Sequence, residues 1–409
     1  MRTRQFVMLA LILIVLIGTG NSVAYASSLC VHPTGAGRCF TSIQAAVDAA
    51  DNGDRIIIRA GKYVEQVTIS GKNLTLNGRP GAILQAPAEM ADTLSPIFGF
   101  PGRPILLVTD AEVTVRDLII NGANSAENNP FLQGITFLNA GGVIRGNVVK
   151  DVGFGEPRLP LDENGEPVYQ GDAIVVINFL ATPRTVEITE NWITNFNNNG
   201  ILVDAEADLN DPFAATLTAH VTNNVVVASG PTDAIDQWGI FIGGFGFADP
   251  QSSVTGTISG NRLRDLVTVG AHPLPSIGVV MFNPANLEVS NNTIENVNIG
   301  LAANRVVGVQ ITRNQITGPG PDVFGSSGLL ISGTDSYVFE NRFKKLDTGI
   351  LLFVEDPELG SALNTVMDEN RFDHVAMDIM TGPGAPMVMM SATSTQAKLT
   401  PTLAKLPHR

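Results

Sequence analysis

Cysteine and histidine are scarce in this chain: 2 and 5 among 409 residues. That scarcity excludes a metal cluster built from thiols and imidazoles. Cys30 and Cys39 stand close together, no third cysteine completes a set, and the histidines are scattered. Charge is thin as well, 16% of residues, and its balance is acidic, with a formal net charge of −14. An acidic balance argues against nucleic acid or an anionic membrane surface as a partner and leaves neutral partners open. Helix formers do not dominate a sequence with 41 glycines and 24 prolines, although the length allows a large core.

What is present begins with a secretory pattern. Arg2 and Arg4 form a positive start, Phe6 to Ile17 is an apolar run too short for a comfortable membrane span, and "AYA" at Ala24 to Ala26 fits a small-x-small cleavage rule. The expectation is a signal over 1–26, an exported chain starting at Ser27, and no membrane attachment after cleavage. An uncleaved anchor is the alternative. Loss of Arg2 and Arg4 takes the formal charge from −14 to −16. In an exported chain Cys30 and Cys39 are expected to form one disulfide, with two free thiols or half of a metal site as the other readings.

"FTSIQAAVDAADNGD" reads as a helix. Thr41 and Gln44 form a capping-box pattern, Ile43, Ala46, Val47 and Ala50 share one face, and Gly53 stops it. Short strands follow, "RIIIRA", "EQVTI", "NLTLNG" and "AILQA", separated by turn residues at the short intervals of an all-β chain.

The strongest signal is an asparagine set inside apolar runs, as in "VSNNTIEN", "VEITENWI", "HVTNNVV" and "QITRNQI". Asn147, Asn191, Asn224, Asn261, Asn292, Asn314, Asn341 and Asn370 share one frame, spaced 44, 33, 37, 31, 22, 27 and 29 residues apart. An apolar residue usually sits three before and two after, for example Ile188 and Ile193 or Val289 and Ile294. Each is accompanied by a small residue followed by an apolar run, as in "GILVDA", "GIFIGG" and "GLLISG". Repetition at this variable period signals a stacked solenoid, and the shortest spacing fits one coil of a parallel β-helix. Asparagine tolerates the left-handed conformation of a tight bend. Stacked coils place one amide about 4.8 Å above the next, so the amides can bond along the stack.

These repeats resemble those of the pectin-lyase-like superfamily, and "FTSIQAAVDAADNGDRIIIRAGKYVEQVTISGKNLTLNG" resembles that superfamily's N-terminal cap and first coil. The resemblance spans roughly residues 30 to 380. It implies a right-handed parallel β-helix of about three sheets over 55–382. An amphipathic helical cap and disulfide would occupy 27–54, and a tail outside the repeat 383–409. It also implies a uronate-type polysaccharide as ligand or substrate.

The superfamily's catalytic patterns are not met. The Asn-x-Asp, paired-aspartate, His-Gly and Arg-x-Lys series of polygalacturonases is absent in order, and "GDA" at Gly171 to Ala173 keeps one aspartate of a pair. "WGIFIGG" lacks the aspartate of the methylesterase Asp-Phe-Ile-Phe-Gly. The Asp-His and Arg-x-Pro-x-x-Arg patterns of pectate lyases are absent.

The residues themselves offer candidates. Asp172 starts one strand and Asp204 ends the next, about 13 Å apart by the strand rise. Asp236, with Asp233 before it, precedes the following strand. This makes Asp172 and Asp236 the better pair for acid–base cleavage of a glycoside, against solvated turn aspartates. "DAEADLND" clusters oxygen ligands, with Asp204, Glu206 and Asp208 as a calcium candidate, although it lacks an EF-hand's glycine and terminal glutamate. No other cofactor is indicated. "PLDENGEPVY" reads as an exposed turn. Trp192, Phe196, Trp238 and Phe241 are read as sugar stackers or as core. Asn73-Leu-Thr and Asn291-Asn-Thr match the short glycosylation pattern.

By alternation Val175, Leu202, Phe241, Val280, Leu330 and Leu351 point outward, forming an apolar stripe. Loops at 122–133, 153–170, 205–219 and 243–253 would cover it, or a second chain or another protein would dock there. Two functions remain open. One is an exported protein that binds or processes extracellular polysaccharide, as a lyase or glycoside hydrolase. The other is a non-catalytic surface protein serving as a docking platform.

Overall fold

The computed structural model describes residues 26–97, 100–155, 171–206, 215–244, 253–270, 274–320, 323, 325–353, 364–382 and 389–390. The expected signal segment up to residue 25, the turn at 160–169, Asp208 and most of the tail lie outside them. The chain winds as a right-handed parallel β-helix. Each coil contributes one strand to each of three ladders. The first ladder runs from Ser28–Val31 through Arg184–Thr189, Thr216–Thr222 and Ser253–Ser259 to Met389–Met390. The second runs from Gly61–Val64 through Trp192–Phe196 and Arg262–Leu266. The third includes Val67–Ser70, Asp172–Asn178, Asn199–Ala205 and Trp238–Gly243. Arg342–Leu352 and Arg371–Thr381 are continuous strands that pass through both the second and the third ladder. One antiparallel pair, Leu94–Ile97 with Phe100–Thr109, interrupts the parallel pattern.

Register explains the apolar frame. Ile188, Val221, Ile258, Val289, Ile311 and Val338 lie side by side on successive coils and are fully buried. Ile193, Val226, Leu263, Ile294 and Ile316 do the same on the second ladder. Each such side chain contributes about 1.5–3 kcal/mol on leaving water. β-Branched residues suit the pleated surface on which they stack.

The asparagines occupy the corner between the first and second ladders. Asn261 is representative. Its Nδ2 donates to Val221 O of the preceding coil (2.8 Å) and to Asn292 Oδ1 of the next (3.0 Å), while its own Oδ1 accepts from Asn224 N and Nδ2 (2.9 and 3.0 Å). The same bonds link Asn147, Asn191, Asn224, Asn292, Asn314, Asn341 and Asn370 in order. The bend itself departs from expectation. The left-handed residue is the one before each asparagine: Gly146, Glu190, Asn223, Gly260, Asn291, Arg313, Glu340 and Glu369, with φ between 53° and 67°. The asparagine is needed for its amide, which satisfies backbone groups that the inward corner removes from water.

The small residue at the start of each third-ladder run also has a steric cause. A Cβ on Gly200, Gly239, Gly278, Gly300 or Gly328 would lie 2.5–2.6 Å from a backbone oxygen of the next coil. Gly134 and Gly349 belong to the same column.

The helix is Ile43–Ala49, with Ile43, Ala46 and Val47 in the core. Its N-cap is Ser42, whose side chain accepts from Ala45 N (3.0 Å), instead of the expected Thr41. Glu65 takes the first helical amides, from Ile43 and Gln44 (2.7 and 3.0 Å), leaving Gln44 free to bond both backbone groups of Thr68 on the third ladder's first strand. Lys72 Nζ donates to the C-terminal carbonyls of Val47, Asp48 and Ala50, complementing the negative end of the helix. Cys30, on the first strand, is disulfide-bonded to Cys39. At the other end Met389–Met390 pairs with Val366 and Met367, so part of the tail continues the first ladder.

Candidate functional site

The outer face of the third ladder collects the groups with chemistry. Asp172 follows Gln133 in register, Asn199 lies on the coil after Asp172, and Trp238 follows Asn199. An amide, an acid, a second amide and an aromatic therefore occupy four successive rungs about 4.8 Å apart. Asp172 Oδ1 accepts from Asn198 Nδ2 (3.0 Å), Asn199 N (3.1 Å) and Asn199 Nδ2 (2.8 Å). Burial nevertheless raises its pKa above the usual carboxylate value, against the lowering effect of those donors. Beside it Thr136 Oγ1 donates to Gln133 Oε1 (2.7 Å). Trp238 stacks on Phe241, three residues along the same face, with ring centroids 5.7 Å apart. Trp238 keeps part of its surface exposed.

The apolar stripe expected on this face is one lateral row. Val175, Leu202, Phe241, Val280, Ala302, Leu330 and Leu351 are in register. Val175, Phe241 and Val280 are buried, yet they stand apart from the continuous core. Of the loops expected to cover them, 122–133 is described, while much of the other three falls outside the described residues.

The other sequence candidates sort differently. Asp204 shares a row with Ile177 and Gly243, five positions along from Asn199. It therefore lies about 17 Å from the rung position of Asp172, not the expected 13 Å. It is fully buried. Asp233 is exposed, while Asp236 is buried two residues before Trp238, two rungs from Asp172 and so about 10 Å away along the stack. Glu206 has a pKa raised by burial. Among the described residues no three or more His, Cys, Asp or Glu side chains are grouped to hold a metal. Phe196 belongs to the core, and Trp192 is 47% exposed on the second ladder, away from this face.

Sequence reasoning missed Gln133, Thr136, Asn198 and Asn199. The run "NFNNNG" held the signal, because asparagines outside the ladder frame at Asn197 to Asn199 mark a corner that turns donors toward a neighbouring acid.

No protein-family model matches the chain, and no curated protein matches it by sequence. Solved structures do. The A-module of the Azotobacter vinelandii mannuronan C-5 epimerase AlgE6 is 14% identical over 87% of this chain and 95% of its own, with a TM-score of 0.50. The Yersinia enterocolitica family 28 exopolygalacturonase is 12% identical over 90% of this chain and 78% of its own, also at 0.50. The fold is that of the pectin-lyase-like parallel β-helix proteins. At these identities the likeness carries the winding of the backbone and not the chemistry of any side chain.

Proposed function

We propose that this protein binds extracellular polysaccharide across the outer face of its third ladder. The observation that carries the reading is the column of Gln133, Asp172, Asn199 and Trp238 on consecutive rungs. A rung is close to one pyranose in length. Asn199 is buried and holds Asp172; the Gln133 amide and the Asp172 carboxyl suit sugar hydroxyls, and a partly exposed indole suits the apolar face of a ring. A solved structure of similar fold is a mannuronan epimerase and another an exopolygalacturonase, which favours a uronate-type polymer. The Cys30–Cys39 disulfide fits an oxidising, extracytoplasmic compartment. Within the column Asp172 is the group able to give or take a proton, and its raised pKa keeps the protonated form available at higher pH than an ordinary aspartate.

The two tryptophans of the sequence lie on different ladders, so each reports on one face. In a Trp192→Phe protein, Trp238 emission is expected to change saturably with oligogalacturonate or oligomannuronate, and Asp172→Asn is expected to weaken that response about tenfold. Emission indifferent to these uronates and to a panel of neutral glycans would overturn the proposal. Product analysis on the same polymers then distinguishes turnover from binding.

A further inference from the structure

The outer face of the second ladder has a different character. One outward row reads, rung by rung, Val148, Trp192, Val225, Arg262, Thr293, Gln315, Arg342 and Arg371. Trp192 and all three arginines are exposed. From Trp192 to Arg371 is six rungs, about 29 Å along the stack. A protein with net charge −14 thus lines up three guanidinium groups behind an exposed indole.

These arginines are not committed to internal pairs. The cations of the adjacent outward row are: Arg264 pairs with Asp265 (3.8 Å) and Lys344 with Asp373 (3.6 Å). Among the described residues Arg262, Arg342 and Arg371 make no ion pair. Beside the last of them lies an open groove of about 420 Å³, lined by Arg313, Gln315, Arg342 and Arg371 together with Glu340 and Glu369. Arg313 there is held in the left-handed bend position, φ 54°, which Gly260 and Asn291 fill on the two preceding coils at lower conformational cost.

We infer that this face is a second binding track, separate from the third ladder, for an anionic polysaccharide whose chain lies along the helix axis. Trp192 stacks on one ring, and Arg262, Arg342 and Arg371 take carboxylates two, five and six rungs further on, with Gln315 and the groove carboxylates receiving hydroxyls. Guanidinium forks match carboxylates in a way that suits uronates better than neutral sugars. Arg342 and Arg371 stand one rung apart and Arg262 three rungs before Arg342, whole-rung spacings that a polymer repeating its charge once per ring can meet. The track rests on side chains that the third-ladder reading does not use, so either can fail alone.

The test uses a Trp238→Phe protein, in which Trp192 is the remaining indole, titrated with oligogalacturonate long enough to span the row. Saturable change in Trp192 emission is expected, with affinity at least tenfold weaker for the methyl-esterified oligomer and at least tenfold weaker in R262Q/R342Q. Asp172→Asn is expected to leave this signal unchanged. Because Arg262 and Arg342 are exposed, circular dichroism of R262Q/R342Q is expected to match that of its parent. The inference is overturned if Trp192 does not respond, or if the esterified oligomer binds equally well. Unchanged affinity in R262Q/R342Q also overturns it, and so does equal binding of dextran sulfate and single-stranded DNA, which indicates a general attraction for polyanions.

Discussion

Asp172 sits in opposing influences. Three N–H donors converge on one of its oxygens and favour the ionised form, while removal from water favours the neutral one and prevails. A carboxyl whose folded pKa is raised stabilises the fold most below its unfolded pKa and loses that contribution as pH rises through the folded value. Asp172→Asn keeps the accepting oxygen and removes the charge. Its melting temperature is therefore expected to match the parent near pH 3 and to exceed it near pH 7. A variant less stable than the parent at pH 7, with the gap closing in acid, would mean that the donors outweigh burial. At this scale the sequence was partly legible. Asp172 stood out as an acid at a strand start, but the donors did not, because the side chains that meet it come from the next coil, 26 and 27 residues away. The left-handed corner was misplaced by one residue for a related reason. Asparagine is suited both to positive φ and to amide ladders, and only the backbone separates the two uses: Glu190, Arg313, Glu340 and Glu369 bear the bend while the following asparagine supplies the amide.

The corner element translates that division into energies. Removing the amide of Asn261 strips bonds from both flanking coils: the Val221 carbonyl and Asn224 N lose theirs, Asn224 Nδ2 keeps only Ile188 O, and Asn292 Oδ1 keeps only Asn261 N. Asn261→Ala is expected to cost about 3 kcal/mol or more, since each buried group left unsatisfied costs about 1–3 kcal/mol. Asn291→Gly changes a residue that is exposed and already at φ 57°, where glycine is at ease, so it is expected to stay within about 1 kcal/mol of the parent. Guanidinium denaturation midpoints of the two variants test the pair. Equal losses would show that the bend, not the amide, holds the corner. The ladder was visible in sequence because the requirement repeats on every coil at one frame. The small-residue column was visible for the same reason, although its cause, the carbonyl of the next coil, was not. The helix was placed correctly in position but ends at Ala49, with Ala50 already extended, short of the expected stop at Gly53, and its cap differs because Glu65 lies outside the helix and takes the amides that a capping box would have used.

Over the whole molecule, stacking makes each coil answer mainly to its neighbours, so a local perturbation should stay local. The disulfide is suited to test this. It closes a loop of 9 residues between Cys30, whose strand forms the first rung against Arg55–Ile58, and Cys39, next to the residue whose amide donates to Cys30 O (2.8 Å). A loop of that length constrains the unfolded chain by about 2–3 kcal/mol. In a two-state globule that loss would appear at every amide. Here the Cys30→Ser/Cys39→Ser protein is expected to exchange faster at residues 28–31 and 43–49. Amides of the Asn224, Asn261 and Asn292 rungs should keep their rates, because several coils of buried apolar contact and amide bonding lie between. Uniform acceleration along the chain would show that the solenoid unfolds as one unit. The third-ladder column and the second-ladder track, both made of side chains from many rungs, would then depend on the N-terminal end as strongly as on their own residues.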